Sequence, residues 1–80
     1  MTAKTQSLDK VVLQTNQSLE ISGFCGSENT VERLKELGFH QGLKIEFVGQ
    51  APWHGPRLFR FSNTVLALRD QEAACVLVLL

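Results

Sequence analysis

Cys25, His40 or His54, and Asp70 are the residues that could supply a nucleophile, a base and an orienting acid. Such a triad needs each member within hydrogen-bond reach of the next. Nothing in the spacing of these residues supports that assembly, and unrelated core and surface positions are the plainer reading. No catalytic residue, and no enzyme, is predicted. His40, His54, Cys25 and several carboxylates are also possible ligands for a first-row metal. The two histidines form no recognised ligand pair, so neither a metal site within one chain nor a cofactor is predicted. Zinc held adventitiously at an exposed His54 is the simpler expectation. No G-x-x-x-x-G-K-[ST] or G-x-G-x-x-G occurs, which removes the common nucleotide sites.

The two cysteines, Cys25 and Cys75, form no C-x-x-C, so neither a zinc ribbon nor a redox motif is present. They could pair in principle. A secreted domain this small usually carries more cysteines, and both are read as free thiols in a reducing compartment. Arg33, Lys35, Lys44, Arg57, Arg60 and Arg69 could gather into a basic patch. Their acidic company in sequence, such as Glu32, Glu36, Glu46 and Asp70, favours a mixed, solvated surface instead.

The loop Ala51-Pro52-Trp53-His54-Gly55-Pro56 is the most informative segment. It holds the single tryptophan, and two prolines stiffen it by fixing φ. A rigid loop carrying an indole and an imidazole loses little entropy on binding. Trp53, His54 and Arg57 are therefore the candidate partner-binding residues. A second reading stays open, in which Trp53 plugs one end of a thin barrel.

The elements that must carry this loop fit one small domain. The chain has 80 residues, 44% of them hydrophobic, and eight basic residues balance eight acidic ones. A domain of this length has a thin core. Zero net charge argues against a nucleic-acid binder and against a protein held on an anionic membrane by charge. Met1 to Gln6 shows no apolar signal-peptide region. The longest apolar run, Ala73 to Leu80, is far short of the ~20 residues of a spanning helix. A soluble, cytoplasmic protein is expected.

Residues 1–7 read as a flexible tail, with the domain at 8–80. Leu8, Val11 and Leu13 offer apolar anchors before a polar turn over Gln14 to Ser18. Leu19 to Phe24 alternates with period two and reads as a half-buried strand. One short helix is expected near 30–37, with Asn29 as N-cap and Glu32 completing a capping box. Val31, Leu34 and Leu37 would form its apolar stripe. Gly38 would close it in the left-handed conformation, with Phe39 packing back on Leu34. Beyond a turn at Gln41-Gly42, strands are expected at Lys44 to Phe47, Leu58 to Phe61, Thr64 to Leu68 and Cys75 to Leu80. Asn63 suits the tight turn between the second and third of these. Arg69 to Glu72 reads as a polar turn. The whole is mostly β, a small closed or nearly closed barrel of five or six strands. Its last strand is apolar on both faces. That strand needs cover on both sides or a subunit contact, which leaves a homo-oligomer open.

Three segments also carry a resemblance. Arg33-Leu34-Lys35-Glu36-Leu37-Gly38 with Gly42 resembles the R-L-x-x-L-G-x-x-P-G element of FeoA proteins. Ala51-Pro52 and Pro56 resemble that family's A-P-x-G-x-P loop. Leu66-Ala67-Leu68-Arg69 with Glu72-Ala73 resembles its L-A-L-R-x-x-E-A segment. The sequence departs from the pattern at Gln41, where proline is usual, and at His54 and Asn16, where glycine is common. The resemblance implies an SH3-like barrel with an inserted helix. It also implies a cytoplasmic accessory role in bacterial ferrous-iron uptake, with a FeoB-type permease and its cytosolic GTP-binding region as partner. The alternatives are an SH3-like domain of the kind found in DtxR-type metal regulators, acting with another protein, or an iron-delivering metallochaperone.

Overall fold

The computed structural model describes residues 4–80. Its elements are β1 (Thr5–Ser7), β2 (Ser18–Phe24), α1 (Glu28–Glu36), β3 (Lys44–Gln50), β4 (Arg57–Phe61), β5 (Thr64–Leu68), α2 (Asp70–Ala73) and β6 (Val76–Leu79). The strands form one antiparallel sheet in the order β1-β6-β2-β3-β4-β5. None of the helices in the described residues is long and apolar enough to cross a membrane.

β2 belongs to both halves of this sheet. Its first half pairs with β3, Ser18 opposite Glu46 and Glu20 opposite Lys44. Its second half pairs with β6, Ile21 opposite Val78 and Phe24 opposite Val76, with a register irregularity between Ile21 and Gly23. Such an irregularity bends a strand and increases its twist, which folds the two halves over one core. Ile21, at the switch, is fully buried. Its amide donates to Leu43 and its carbonyl accepts from Gly42.

The period-two segments behave as their alternation dictates. Leu19 and Ile21, Ile45 and Phe47, and Phe59 and Phe61 turn inward and are buried. The aromatic pairs Phe47–Phe59 and Phe39–Phe61 meet with ring centroids 5.6 and 5.0 Å apart. Ser62 and Asn63 both have positive φ, 49° and 61°, as a two-residue hairpin turn matched to strand twist requires. Arg69 to Glu72 becomes the single turn of α2, closed by Glu72 Oε1 accepting from the Arg69 amide.

Helix α1 starts earlier than 30. Its N-cap is Ser27, not Asn29: Ser27 is extended and its hydroxyl accepts from the Thr30 amide. Glu28 then lies in the first turn, where a carboxylate complements the helix dipole. The C-terminus follows expectation. Gly38 sits at φ 109°, its amide bonds Lys35 and the Phe39 amide bonds Leu34, the two bonds of a Schellman cap. Leu34 and Phe39 are both buried, whereas Leu37 is 44% exposed and leaves the expected stripe.

The expected tail over 1–7 is corrected at Thr5. Residues 5–7 form β1, which pairs with β6 from Thr5–Leu79 to Ser7–Leu77; residues 1–3 lie outside the described residues. Three polar residues carry no alternation signal, and pairing with β6 is what makes them a strand. β6 therefore lies between β1 and β2, and the apolar strand has no open edge.

Because Leu34 joins α1 to the barrel core, Leu34→Ala should lower stability by roughly 2–4 kcal/mol, measured by urea unfolding. A loss below about 0.5 kcal/mol would mean that α1 does not depend on this contact.

Candidate functional site: the loop between β3 and β4

The loop Ala51–Pro56 is closed at its base by the Ala51 amide donating to the Pro56 carbonyl at 2.9 Å. The Gln50 side-chain amide donates to the Gly55 carbonyl at 3.1 Å. Within the loop, the Gly55 amide reaches the Pro52 carbonyl at 3.2 Å. Trp53 and His54 occupy the two central positions with φ 63° and 57°. This is the left-handed geometry that Asn-Gly adopts cheaply. A tryptophan and a histidine adopt it at a cost of about 1 kcal/mol or more each.

The strained turn holds the indole in solvent. Trp53 is 95% exposed, so it plugs nothing, and that reading of the sequence is set aside. His54 is also exposed and lines a shallow cavity of about 220 Å³ with Arg69 and Asp70. Arg57 points elsewhere. Its guanidinium donates to the Leu8 carbonyl at 2.7 Å, and it lines a separate hollow with Asp9, Val12 and Gln50. Trp53 and His54 thus share one turn, while Arg57 ties the base of β4 to the segment after β1. Val12, 89% exposed, is an apolar neighbour of that hollow and was not singled out from the sequence. Val11-Val12-Leu13 is an unbroken apolar run, which does not signal that the fold buries Val11, half-buries Leu13 and exposes Val12.

The remaining candidates are dispersed. Cys25 and His40 line a groove between β2 and α1, whereas Asp70 lines the cavity beside His54, so the conceivable triad is not assembled. Among the described residues no three His, Cys, Asp or Glu side chains cluster as a metal site would need. Several basic residues have separate partners. Arg60 meets Glu46 at 3.5 Å, and the Lys35 ammonium lies 5.6 Å from the Phe24 ring centroid.

A six-stranded antiparallel barrel with one short helix before its third strand, and a stiff loop exposing a tryptophan, make up a small mostly β domain. The FeoA domain model matches residues 8–80, and the chain belongs to the FeoA family. Among solved structures, a FeoA-like protein from Clostridium acetobutylicum is 26% identical with a TM-score of 0.82, covering 98% of this chain and 87% of that one. Stenotrophomonas maltophilia FeoA, solved with zinc, is 30% identical with a TM-score of 0.73, covering 91% and 88%. It is described as a prokaryotic SH3 domain protein and a candidate bacterial ferrous iron transport activating factor, and the barrel here is SH3-like in the same sense. A manganese-dependent transcriptional repressor, 9% identical, shares the fold at a TM-score of 0.82 over 99% of this chain and 43% of its own. No curated protein matches the chain.

Because His54 holds a left-handed φ that glycine adopts freely, His54→Gly should raise stability by roughly 0.5–1 kcal/mol. Chemical denaturation of the variant measures this. A loss of stability would mean that the imidazole makes a contact outweighing the backbone strain.

Proposed function

We propose that this protein is a cytoplasmic accessory component of bacterial ferrous-iron uptake. It binds the cytosolic region of a FeoB-type permease through the loop Ala51–Pro56. Family membership supports the iron-uptake role, as does the description of the zinc-bound relative as a candidate transport activator. The observation that carries the docking site is Trp53, 95% exposed on a turn that hydrogen bonds and two prolines hold in place. A small interface relies on a few anchors, and tryptophan is the residue type most enriched among them. A preorganised loop spends little entropy in presenting it. His54 stands on the same turn and supplies a polar contact at the rim. Arg57, turned to the Leu8 carbonyl and lining a separate hollow, stands apart from this turn.

The partner surface this arrangement suits is an apolar pocket with an acceptor or carboxylate at its edge. Trp53→Ala should weaken binding to the permease's cytosolic region by about 2 kcal/mol, close to 30-fold. Its thermal midpoint should stay near wild type, because an exposed side chain contributes little to the core. Isothermal titration calorimetry and a thermal melt on the same variant measure both. Unchanged affinity would place the docking surface elsewhere.

A further inference from the structure

Cys25 and Cys75 stand opposite each other where β2 and β6 end their pairing. Gly23 is opposite Leu77 and Phe24 opposite Val76. One step further, the Cys25 amide donates to the Cys75 carbonyl at 2.9 Å. Both residues lie just beyond the paired strands, and the Cys75 amide goes to the Glu72 carbonyl. The one bond from the Cys25 amide therefore sets their approach, and a backbone bond of that kind holds the two Cα atoms about 5.5 Å apart. A disulfide spans Cα separations of roughly 4.4–6.8 Å. Each sulfur also lies beside the other cysteine's chain, with Cys75 Sγ in addition donating to the Gln71 carbonyl of α2 at 3.6 Å. Cys25 Sγ donates to the Ala74 carbonyl at 3.3 Å, the residue just before Cys75. Cys75 Sγ lies 3.0 Å from where a Cβ on Gly26 would stand, the residue just after Cys25. Gly26, at φ 86°, leaves the room that any other side chain would take from the sulfur. Both cysteines are free thiols in this structure, Cys25 exposed and Cys75 buried.

We infer that Cys25 and Cys75 are a modification site: a reversible intrachain disulfide, entered by oxidation of the exposed Cys25. The oxidant class is a peroxide. The Cys25 thiolate attacks hydrogen peroxide, the O–O bond breaks, and hydroxide leaves to become water. Cys25 is then a sulfenic acid. The Cys75 thiol gives its proton to solvent, and its thiolate attacks the Cys25 sulfur. The S–S bond forms, the S–O bond breaks, and a second hydroxide leaves as water. Two thiols lose two electrons, and one peroxide gains them. A dithiol reductant reverses the bond by exchange.

The bond would fasten the approach to α1 onto the entry of β6. Cys25 lies two places before the N-cap Ser27 and lines the groove between β2 and α1 with Phe24, Val31 and Lys35. Oxidation therefore acts on that groove rather than on the loop that carries Trp53.

The test treats the full chain with one equivalent of hydrogen peroxide, then counts alkylatable thiols after denaturation and weighs the intact protein. The expected product is a monomer two hydrogen atoms lighter with no alkylatable thiol. Trypsin should release residues 11–33 joined to residues 70–80, and dithiothreitol should restore both thiols. Cys25→Ser should keep Cys75 alkylatable throughout. Cys75→Ala should stop at a Cys25 sulfenic acid that dimedone traps. The wild-type result stands whether or not either variant folds. Two thiols still alkylatable, a Cys25 that proceeds to sulfinic acid without bridging, or a dimer joined through Cys25 would each overturn the assignment.

Discussion

The constraint on which the rest of the structure depends is the sharing of β2 between two partners. A central strand offers one edge to each neighbour and could pair with both over its full length, but β2 does not. It gives its first half to β3 and its second half to β6, changing register after Ile21. The bend at that change turns a sheet into a barrel. It is held by Ile21's two backbone bonds to the turn after α1, through Gly42 and Leu43. The helix is thus tied to the junction as well as to the core. That suits a nine-residue helix, which would be marginal in water alone.

From the junction, stability and display divide along the chain. The buried cluster runs from Leu8 and Ile21 through Leu34, Phe39, Phe59 and Leu68 to Val76 and Val78. β6 supplies the apolar strand of highest aggregation hazard, and β1 and β2 cover its two edges. The loop after β3 does the opposite. It puts a tryptophan in water and gives two bulky residues a backbone conformation suited to Asn-Gly. Backbone strain of this kind persists where surrounding structure over-determines it. Here the closing bond from Ala51 to Pro56 and the Gln50 side chain do so. Local stability is given up there to hold an indole fixed in water.

Local chemistry made much of this legible in the sequence. Alternation located β2, β3 and β4, and Leu34, Gly38 and Phe39 announced the helix C-terminus because a Schellman cap is built from adjacent residues. Non-local pairing did not show. Thr5-Gln6-Ser7 has no strand pattern of its own and becomes β1 only because β6 needs an edge partner. Cys25 and Cys75 are opposed through a register that no local spacing encodes. Ser27 took the N-cap from Asn29 because both residue types cap well, and backbone geometry decides between them. At the candidate site, residue type flagged Trp53 and His54, while their shared turn and the diversion of Arg57 to Leu8 depend on the folded backbone. The exposure of Trp53 depended on the turn at Pro52 to Gly55, whose left-handed residues run against preference.

If β2 joins the two halves into one cooperative unit, amides on either side should open together. Native-state hydrogen exchange followed by NMR measures this at Ile21, at Phe47 bonded to Gln17, and at Leu8 bonded to Val76. The expected result is that all three exchange only through global unfolding, with equal opening free energies and equal dependence on denaturant. Exchange of Leu8 at a distinctly lower free energy than Phe47, with Ile21 following one and not the other, would contradict a barrel built on a shared β2.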